Sequence, residues 1–375
     1  MKKRFVSLLV ALSITLTFLP MGAVAATKIT KGNLKYIVNA DGKSVTVSGT
    51  SENPTQLTIG SSISDNGTNY TVTKIATWAF NACNTLTEVT LPNTVDEIGY
   101  QAFFKCSNLT KVIIPEGVTK IGQAAFYGCS QLTSITIPST ITNMDTAFSG
   151  NTALSHVTLT NGISKISSNA FERCTGLTEV EIPASVDQIC PFAFNGCTNL
   201  KRVLLEKNIK TINVNAFKDC TNLSDVKYNG YKTDWDRVTV NTTGNDTLTS
   251  KVQYLCDINF DLNGGTINGS GTMDKQTVYS NEKLGTASVP TTPPQRTGYD
   301  FDGWYTQAEG GTKYTFTEAV SSNIILYAHW NAHSHTVTLE NDENKETNSY
   351  DYGSSVSVPT PTKKTGYNFN HWEVT

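Results

Sequence analysis

The sequence predicts a mainly β fold, in which a solenoid of stacked coils is followed by smaller β-rich modules. Three observations lead to this prediction. A 23-residue unit recurs six times from Cys83 onward, the apolar residues keep the same positions in every unit, and the composition shifts towards Gly, Tyr and Trp after Cys256. One unit of this length cannot bury its own apolar side chains, so the copies must stack to build a continuous core.

The first 26 residues have the pattern of an export signal. Residues 2–4 are basic, residues 5–19 form a mostly apolar run, and Ala23-Val24-Ala25 has the spacing of a signal-cleavage site. A membrane-spanning helix is the alternative, but about 15 apolar residues fall short of the roughly 20 that a bilayer requires. We therefore expect a secreted protein, extracellular or associated with the cell wall, whose mature chain has no membrane span.

The charge balance argues against nucleic acid as a partner. The formal net charge of the chain is −3, and loss of Lys2, Lys3 and Arg4 with the signal would lower it to −6. Binding to a phosphate backbone needs clustered Lys and Arg side chains, which this composition does not supply.

Apolar columns run through the repeat region. One column consists of Leu86, Leu109, Leu132, Leu154, Leu177 and Leu200. A second consists of Phe80, Phe103, Phe126, Phe148, Phe171, Phe194 and Phe217. Alternation in TEVTLP and its equivalents predicts one short strand per unit with a single face inward. The third unit is one residue short, and we expect the turn before Phe148 to absorb the loss.

The unit C-x-x-L-x-x-V-x-I-P-x-x-V-x-x-I-G-x-x-A-F resembles the BspA-like, or treponemal-type, leucine-rich repeat over residues 83–220. The resemblance implies a leucine-rich-repeat solenoid of 23-residue coils with capping segments. Uncapped ends would expose strand edges and apolar surface. We therefore expect a β-hairpin cap over residues 27–82, turning at Asp41-Gly42. The solenoid and its C-terminal cap occupy residues 83–256, and Trp235 lies on a short helix that covers the last coil.

Six of the eight cysteines occupy one position of the repeat. They are Cys83, Cys106, Cys129, Cys174, Cys197 and Cys220. Asn151 fills the remaining place, and Asn could not replace a disulfide partner or a zinc ligand in one unit alone. We therefore predict a ladder of reduced thiols that, like Asn151, satisfy backbone groups in the buried turn. Disulfides and a metal site remain the alternatives. Cys190 takes the place of Gly99 and Gly122, and the sequence does not explain Cys256.

The segments INFDLNGGT, TGYDFDGWY, GGTKY and ILYAHW resemble the internalin-type B repeat, or Listeria-Bacteroides repeat. The resemblance implies a small β-grasp-like module over residues 257–331. Most of its core is expected from six aromatic residues, Tyr299, Phe301, Trp304, Tyr305, Tyr327 and Trp330. A second copy over residues 332–375 lacks counterparts of GGTKY and ILYAHW, so we expect a truncated repeat, either a fragment or a poorly ordered piece.

No arrangement of residues suggests catalysis, and we predict no catalytic residue, cofactor or metal ion. His333 and His335 fall between the B repeats, where solvated side chains are the favoured interpretation and a weak metal site is the alternative. The Gly-Trp-Tyr segment at 303–305 invites a carbohydrate-stacking interpretation, but its ring is expected in the core. Scattered Asp and Glu residues give no carboxylate pair with a raised pKa.

The outward positions of the repeat strands are the candidate binding residues, because stacked strands give solenoids their usual binding surface. The first column is Glu88, Lys111, Ser134, His156, Glu179 and Arg202. The second is Thr90, Ile113, Thr136, Thr158, Glu181 and Leu204. They form either a solvated face or a surface that binds a host or bacterial surface protein, or an extended glycan.

The favoured function is therefore non-enzymatic adhesion on the outside of a bacterium. The alternative is a binding or spacer region of a larger secreted enzyme, whose catalytic domain would lie outside this chain.

Overall fold

A computed structural model describes residues 26–284, 290–340, 345–360, 365–368 and 370–371. The predicted export signal lies outside the described residues, except for its last position. No helix within the described ranges is long and apolar enough to cross a bilayer.

The chain forms short strands almost throughout. In the first half the strands are β1 (Lys28–Lys31), β2 (Leu34–Val38), β3 (Ser44–Thr50), β4 (Gln56–Thr58), β5 (Ser62–Asp65), β6 (Thr68–Ile75), β7 (Glu88–Thr90), β8 (Glu97–Ile98), β9 (Lys111–Ile113), β10 (Lys120–Ile121), β11 (Ser134–Ile137), β12 (His156–Leu159), β13 (Lys165–Ile166) and β14 (Glu179–Ile182). The second half contains β15 (Gln188–Ile189), β16 (Arg202–Glu206), β17 (Thr211–Ile212), β18 (Asp225–Tyr231), α1 (Lys232–Trp235), β19 (Thr239–Val240), α2 (Asp246–Lys251), β20 (Val252–Asp261), β21 (Gln276–Tyr279), β22 (Tyr299–Tyr305), β23 (Ile324–Ala332), β24 (Ser334–Glu340) and β25 (Lys345–Asp351). This mainly β architecture confirms the predicted fold class.

The solenoid has two rows of parallel strands, one for each straight part of the coil. The first row runs through β4, β7, β9, β11, β12, β14, β16 and β18, and the second through β6, β8, β10, β13, β15, β17 and β19. The first row begins one coil earlier than predicted, because Leu57 of β4 pairs with Val89 of β7.

The Phe residues form the continuous core of the turns. Neighbouring rings from Phe80 to Phe217 lie 5.0 to 5.7 Å apart with their planes within 14° of parallel. The amide of each Phe from 80 to 194 also donates to a carbonyl of the next coil, as Phe103 does to Ala125 at 2.7 Å. All seven rings are buried, as the column predicts.

The cysteine ladder lies beside these rings. All eight cysteines are free thiols. Cys106, Cys129, Cys174, Cys197 and Cys220 each donate from Sγ to a Phe carbonyl at 3.1 to 3.3 Å. Burial raises the pKa of the Cys106, Cys174 and Cys220 thiols to about 12. Asn151 is fully buried but its side-chain N and O have no hydrogen-bond partner in the protein, so the expectation that it satisfies a backbone group was wrong.

Both ends of the solenoid are covered. At the N-terminal end β2 and β3 form the predicted antiparallel hairpin, and β3 then pairs in parallel with β6. At the C-terminal end Trp235, the last residue of α1, packs edge-on against Tyr228. The Asn245 side chain continues the turn ladder, since its Oδ1 accepts a bond from the amide of Phe217 at 2.9 Å. The Asn245 side chain thus takes the place of the backbone carbonyl that a further coil would supply to Phe217.

The short third unit is accommodated where the sequence predicts. Asn143 still bridges to Lys120, which is 23 positions earlier. The bond from Phe126 to Ala147, however, spans 21 positions, one fewer than the equivalent bond from Phe103 to Ala125. The missing residue therefore falls in the turn between Asn143 and Phe148, and the Phe ladder continues across it.

The solenoid continues into the following module through one strand. β20 pairs with β18 near Val252 and then with β23 from Ile258 onward, so the boundary predicted after Cys256 falls inside a strand. The module is a four-stranded mixed sheet in the order β21-β20-β23-β22. Glu282 bonds to Lys227 of β18 at 2.7 Å across the junction.

The core of the module is less aromatic than expected. Trp304 is buried and packs edge-on against Phe260, 4.8 Å away. Phe301 and Trp330 pack around this core, but Tyr299, Tyr305 and Tyr327 are only half-buried. Aliphatic side chains fill the remaining space, namely Ile258, Leu262, Leu284, Val320 and Leu326, together with Cys256. The prediction that six aromatic residues supply most of the core was therefore wrong for the three tyrosines.

The second repeat contributes an antiparallel hairpin of β24 and β25. Tyr352, just after β25, packs edge-on against Tyr299 of the first repeat. Much of the KKTGYNFNHWEV segment lies outside the described residues.

Phe126→Ala should destabilise the array strongly. Removal of a buried aromatic side chain costs about 3–5 kcal/mol, and each coil is stabilised by its neighbours. Denaturant unfolding of the full chain measures the loss. Phe104→Ala is the matched control, because that ring is half-buried, stacks on Tyr127 and does not belong to the buried Phe column. Equal losses for the two variants would mean that the Phe column is not the core.

The five buried ladder cysteines, which exclude the half-buried Cys83, should be unreactive in the folded protein, and all six should be free thiols after unfolding. A thiol reagent added without reductant should find at least the six in-register thiols, and at most all eight, once the chain is denatured. The folded chain should react slowly, since burial disfavours the thiolate that attacks the reagent. Two or fewer thiols in the denatured chain would show that disulfides dominate.

Candidate binding face

We use the name outward face for the twelve predicted residues on β7, β9, β11, β12, β14 and β16. The strands alternate as predicted, so that Glu179 and Glu181 point to solvent while Val180 and Ile182 are buried. Within each paired set of strands the residues are cross-strand neighbours. The pairs are Glu88 with Lys111, Thr90 with Ile113, Ser134 with His156, Thr136 with Thr158, Glu179 with Arg202 and Glu181 with Leu204.

The charges of the outward face are unevenly paired. Lys111 Nζ lies 2.6 Å from a Glu88 carboxylate oxygen, and Arg202 Nε lies 3.0 Å from Asp225. Glu179 and Glu181 form no ion pair or hydrogen bond with the described side chains, although Arg202 is the neighbour of Glu179 in the sheet. The fifth strand of the face, β14, therefore carries two negative charges without an ion-pair partner among the described side chains.

The apolar residues of the outward face differ in exposure. Ile113 is 50% exposed, whereas Leu204 is half-buried between its neighbours on β14 and β18. Four coil spacings separate them, which is roughly 19 Å at the usual distance between strands. A single small ligand could not contact both residues.

A cleft opens between β12 and β14. It has a volume of about 250 Å³ and is lined by residues 155–159 on one side and residues 179–181 on the other. The two strands belong to different sheets, since no backbone bridge joins them within the described chain. We use the name cleft for this opening, which brings His156, Thr158, Glu179 and Glu181 of the predicted residues together.

Missing hydrogen bonds show where the coils separate. Lys201 donates its amide to the carbonyl of Thr178 at 2.8 Å, and Ser155 donates to Thr133 at 3.0 Å. Thr178 occupies the same position in the coil between these two. Its amide donates no bond to the carbonyl of Ser155 in the described part of the chain. Among the described residues the amide of Thr133 likewise donates no bond to the carbonyl of Thr110. In the first row β11 and β12 therefore pair with each other, but neither pairs with the strand on its other side, β9 or β14.

Val157 forms the apolar part of the cleft. Its counterparts in the same column, such as Val89, Val180 and Val203, are buried, but Val157 is only half-buried. Its coil also contains Asn151 in the cysteine position and Thr160 in the place of the usual Pro. The sequence did not indicate this cleft, because a Val in this column normally signals a closed core position.

The two ends of the first row were also incompletely predicted. Gln56 and Thr58 of β4 extend the outward columns by one coil, and the sequence signal was the similarity of TQLTIG to TEVTLP. At the other end the next module covers the row. Lys227 is held by Glu282, and its Nζ lies 4.5 Å from the Tyr279 ring centre.

His156, His333 and His335 take part in separate contacts. His156 Nδ1 lies 2.8 Å from the hydroxyl of Ser155, and His333 Nε2 lies 3.0 Å from Asp300. His335 contacts the ring of Tyr352. Within the described ranges no three His, Cys, Asp or Glu side chains are grouped to hold a metal ion.

Comparison with known families matches both regions of the chain. Residues 60–147 and 144–238 match the family model of the BspA type leucine rich repeat region. Residues 257–329 and 335–374 match the Listeria-Bacteroides repeat domain.

Comparison with individual proteins gives partial likenesses. The chain is 34% identical to internalin H of Listeria monocytogenes over 104 residues, which is 27% of this chain and 18% of that protein. A leucine-rich repeat protein from Bacteroides ovatus has a TM-score of 0.43 at 23% identity, covering 56% of this chain and 66% of its own. The leucine rich repeat protein of T. pallidum has a TM-score of 0.38 at 24% identity, covering 54% and 85%. The chain spans 15 to 20% of the length of the curated relatives it matches.

Val157→Ala should destabilise the protein less than Val180→Ala does. Both substitutions remove the same two methyl groups, worth about 0.8 kcal/mol each when fully buried, but only Val180 is fully enclosed. We expect a loss of about 2 kcal/mol for Val180→Ala and about half of that for Val157→Ala. Denaturant unfolding of both variants measures the difference. Equal losses would show that the coils of β12 and β14 are closed against each other in solution.

Proposed function

We propose that this chain, which combines a BspA type leucine rich repeat region with Listeria-Bacteroides repeat domains, is a non-enzymatic adhesion protein exported to the bacterial exterior. It binds a host or bacterial surface protein, or an extended glycan, through the outward face. The match to the BspA type leucine rich repeat region and the similarity to internalin H support the proposal. Secretion, or attachment to the cell wall, is part of the same proposal.

The observation that carries the proposal is the combination of rigidity and chemical variety on the outward face. The side chains stand on short strands of coils that the Phe ladder holds together at their turns, so little conformational freedom is lost when a partner binds. The face presents Ile113, a partly exposed Leu204 and the two unpaired glutamates within one surface. A merely solvated face would need none of these features.

The size of the face favours a macromolecular partner. Protein interfaces commonly bury about 800 Å² on each side, and the outward face extends over six coils, roughly 24 Å between its first and last strands. We therefore infer a ligand that spans several coils, which fits a protein or an extended glycan better than a small molecule.

Substitutions on the outward face should abolish binding and leave the fold intact. The ligand is first sought with a glycan array and by capture from surface-protein extracts, and its affinity for the full chain is then measured. Glu179→Lys/Glu181→Lys and Ile113→Asp/Leu204→Asp should each weaken binding. Changes at such exposed positions usually alter stability by about 0.5 kcal/mol or less, with a somewhat larger cost for the half-buried Leu204.

Asp96→Lys/Glu309→Lys is the matched control, because it makes the same change of charge at exposed sites away from the outward face. This variant should bind normally. If both outward-face variants kept full affinity, the binding site would lie elsewhere and the proposal would be wrong.

A further inference from the structure

We propose that the cleft between β12 and β14 receives one arginine or lysine side chain from an extended segment of a protein partner. This inference rests on the proposed function and makes it more specific, since it selects a protein over a glycan and names the chemistry of its contact residue.

The dimensions of the cleft fit one side chain. Pockets for drug-sized molecules usually measure about 300–1,000 Å³, and the cleft measures about 250 Å³. It is also open to solvent along the outward face, so a residue can enter it while the rest of the partner stays on the surface. A cofactor or a complete small ligand would find too little enclosed space here.

The lining of the cleft suits a side chain with an apolar stem and a cationic end. Val157 supplies an apolar wall below the opening, and Glu179 and Glu181 stand at its rim. Lys and Arg bury their methylene groups along apolar surface while the charged group reaches a polar rim. Val157 would gain the cover that its buried counterparts in other coils receive from the next strand.

Glu179 and Glu181 in the cleft have no ion-pair partner among the described side chains. The nearest cation in the sheet is Arg202, and its guanidinium group is engaged by Asp225 on the side away from the cleft. The only other titratable side chain in the lining is His156, whose Nδ1 bonds to Ser155. Two carboxylates beside an apolar wall can therefore bind a cationic group of a partner. Charge-assisted hydrogen bonds to carboxylates are among the strongest in proteins.

The strand edges favour a peptide over a free amine. β12 is bonded to β11 on one side and β14 is bonded to β16, but the edges that face each other across the cleft make no bridge in the described chain. Unbonded N–H and C=O groups along a strand edge are the usual docking groups for an extended segment. A partner that inserts its basic side chain can use these backbone groups at the mouth of the cleft.

The test follows the Val157 methyl groups by NMR in the full chain while blocked peptides are added. The probe peptide is ATRTA and its counterpart is ATETA, which differs only in the central charge. The Arg peptide should shift the Val157 signals in a saturable manner, whereas the Glu peptide should leave them unchanged. The signals of Val89, a buried residue in the same column, should not move with either peptide.

Two variants identify the source of affinity. Glu179→Gln/Glu181→Gln should weaken binding of the Arg peptide by about tenfold or more, since it removes both charged acceptors. Glu88→Gln lies in the same column as Glu179 but pairs with Lys111, and it should change the affinity less than about twofold, within the small effect expected of an exposed ion pair.

Unmoved Val157 signals, equal shifts by both peptides, or full affinity in the Glu179→Gln/Glu181→Gln variant would each overturn the inference about the cleft. Such a result, combined with loss of partner binding in Ile113→Asp/Leu204→Asp, would leave the outward face in place as the binding surface. A saturable, Glu-dependent Val157 shift would support the cleft even if those two substitutions left partner binding unchanged. In that case the wider outward face would be wrong.

Discussion

The in-register stacking of the Phe turns is the constraint on which the rest of the structure depends. Each ring rests on the next at 5.0 to 5.7 Å, and the Phe amides bond from coil to coil alongside them. Because this ladder is unbroken, the coils stay stacked in register even where the third unit is one residue short. The buried thiols and the side chain of Asn245 serve the same turns, the thiols by donating to Phe carbonyls and Asn245 by replacing the coil that would follow Phe217.

Because the Phe turns hold the coils together, the spacing between strands in the first row can vary from coil to coil. The coils stay together at their Phe turns, while the first row of strands is interrupted at two places and opens into a cleft beside β12. The turns therefore stabilise the stack, and the proposed function uses the less continuous strand row for recognition of a partner.

Much of the fold could be predicted because it repeats. Six copies fix which residues are buried, and columns such as that of Phe126 need no knowledge of distant contacts. The cleft could not be predicted, because Val157 is chemically the same as its buried counterparts and only the spacing between coils distinguishes it. The strand shared by solenoid and module was missed for a similar reason, since Val252 and Ile258 suit either region. The prediction that the tyrosines of the module lie in its core was wrong, because aromatic residues are suited both to a core and to the half-buried positions around it.

The most direct test is hydrogen exchange at the backbone amides of Thr178 and Lys201 in the folded protein. They occupy the same position in successive coils, but only Lys201 donates its amide to the preceding coil, at 2.8 Å. Because amides without a hydrogen bond exchange without waiting for the structure to open, Thr178 should exchange much faster than Lys201, while the amide of Phe194 in the turn stays protected. Equal protection of Thr178 and Lys201 would contradict the account, since it would mean that the strand row is as continuous as the Phe ladder.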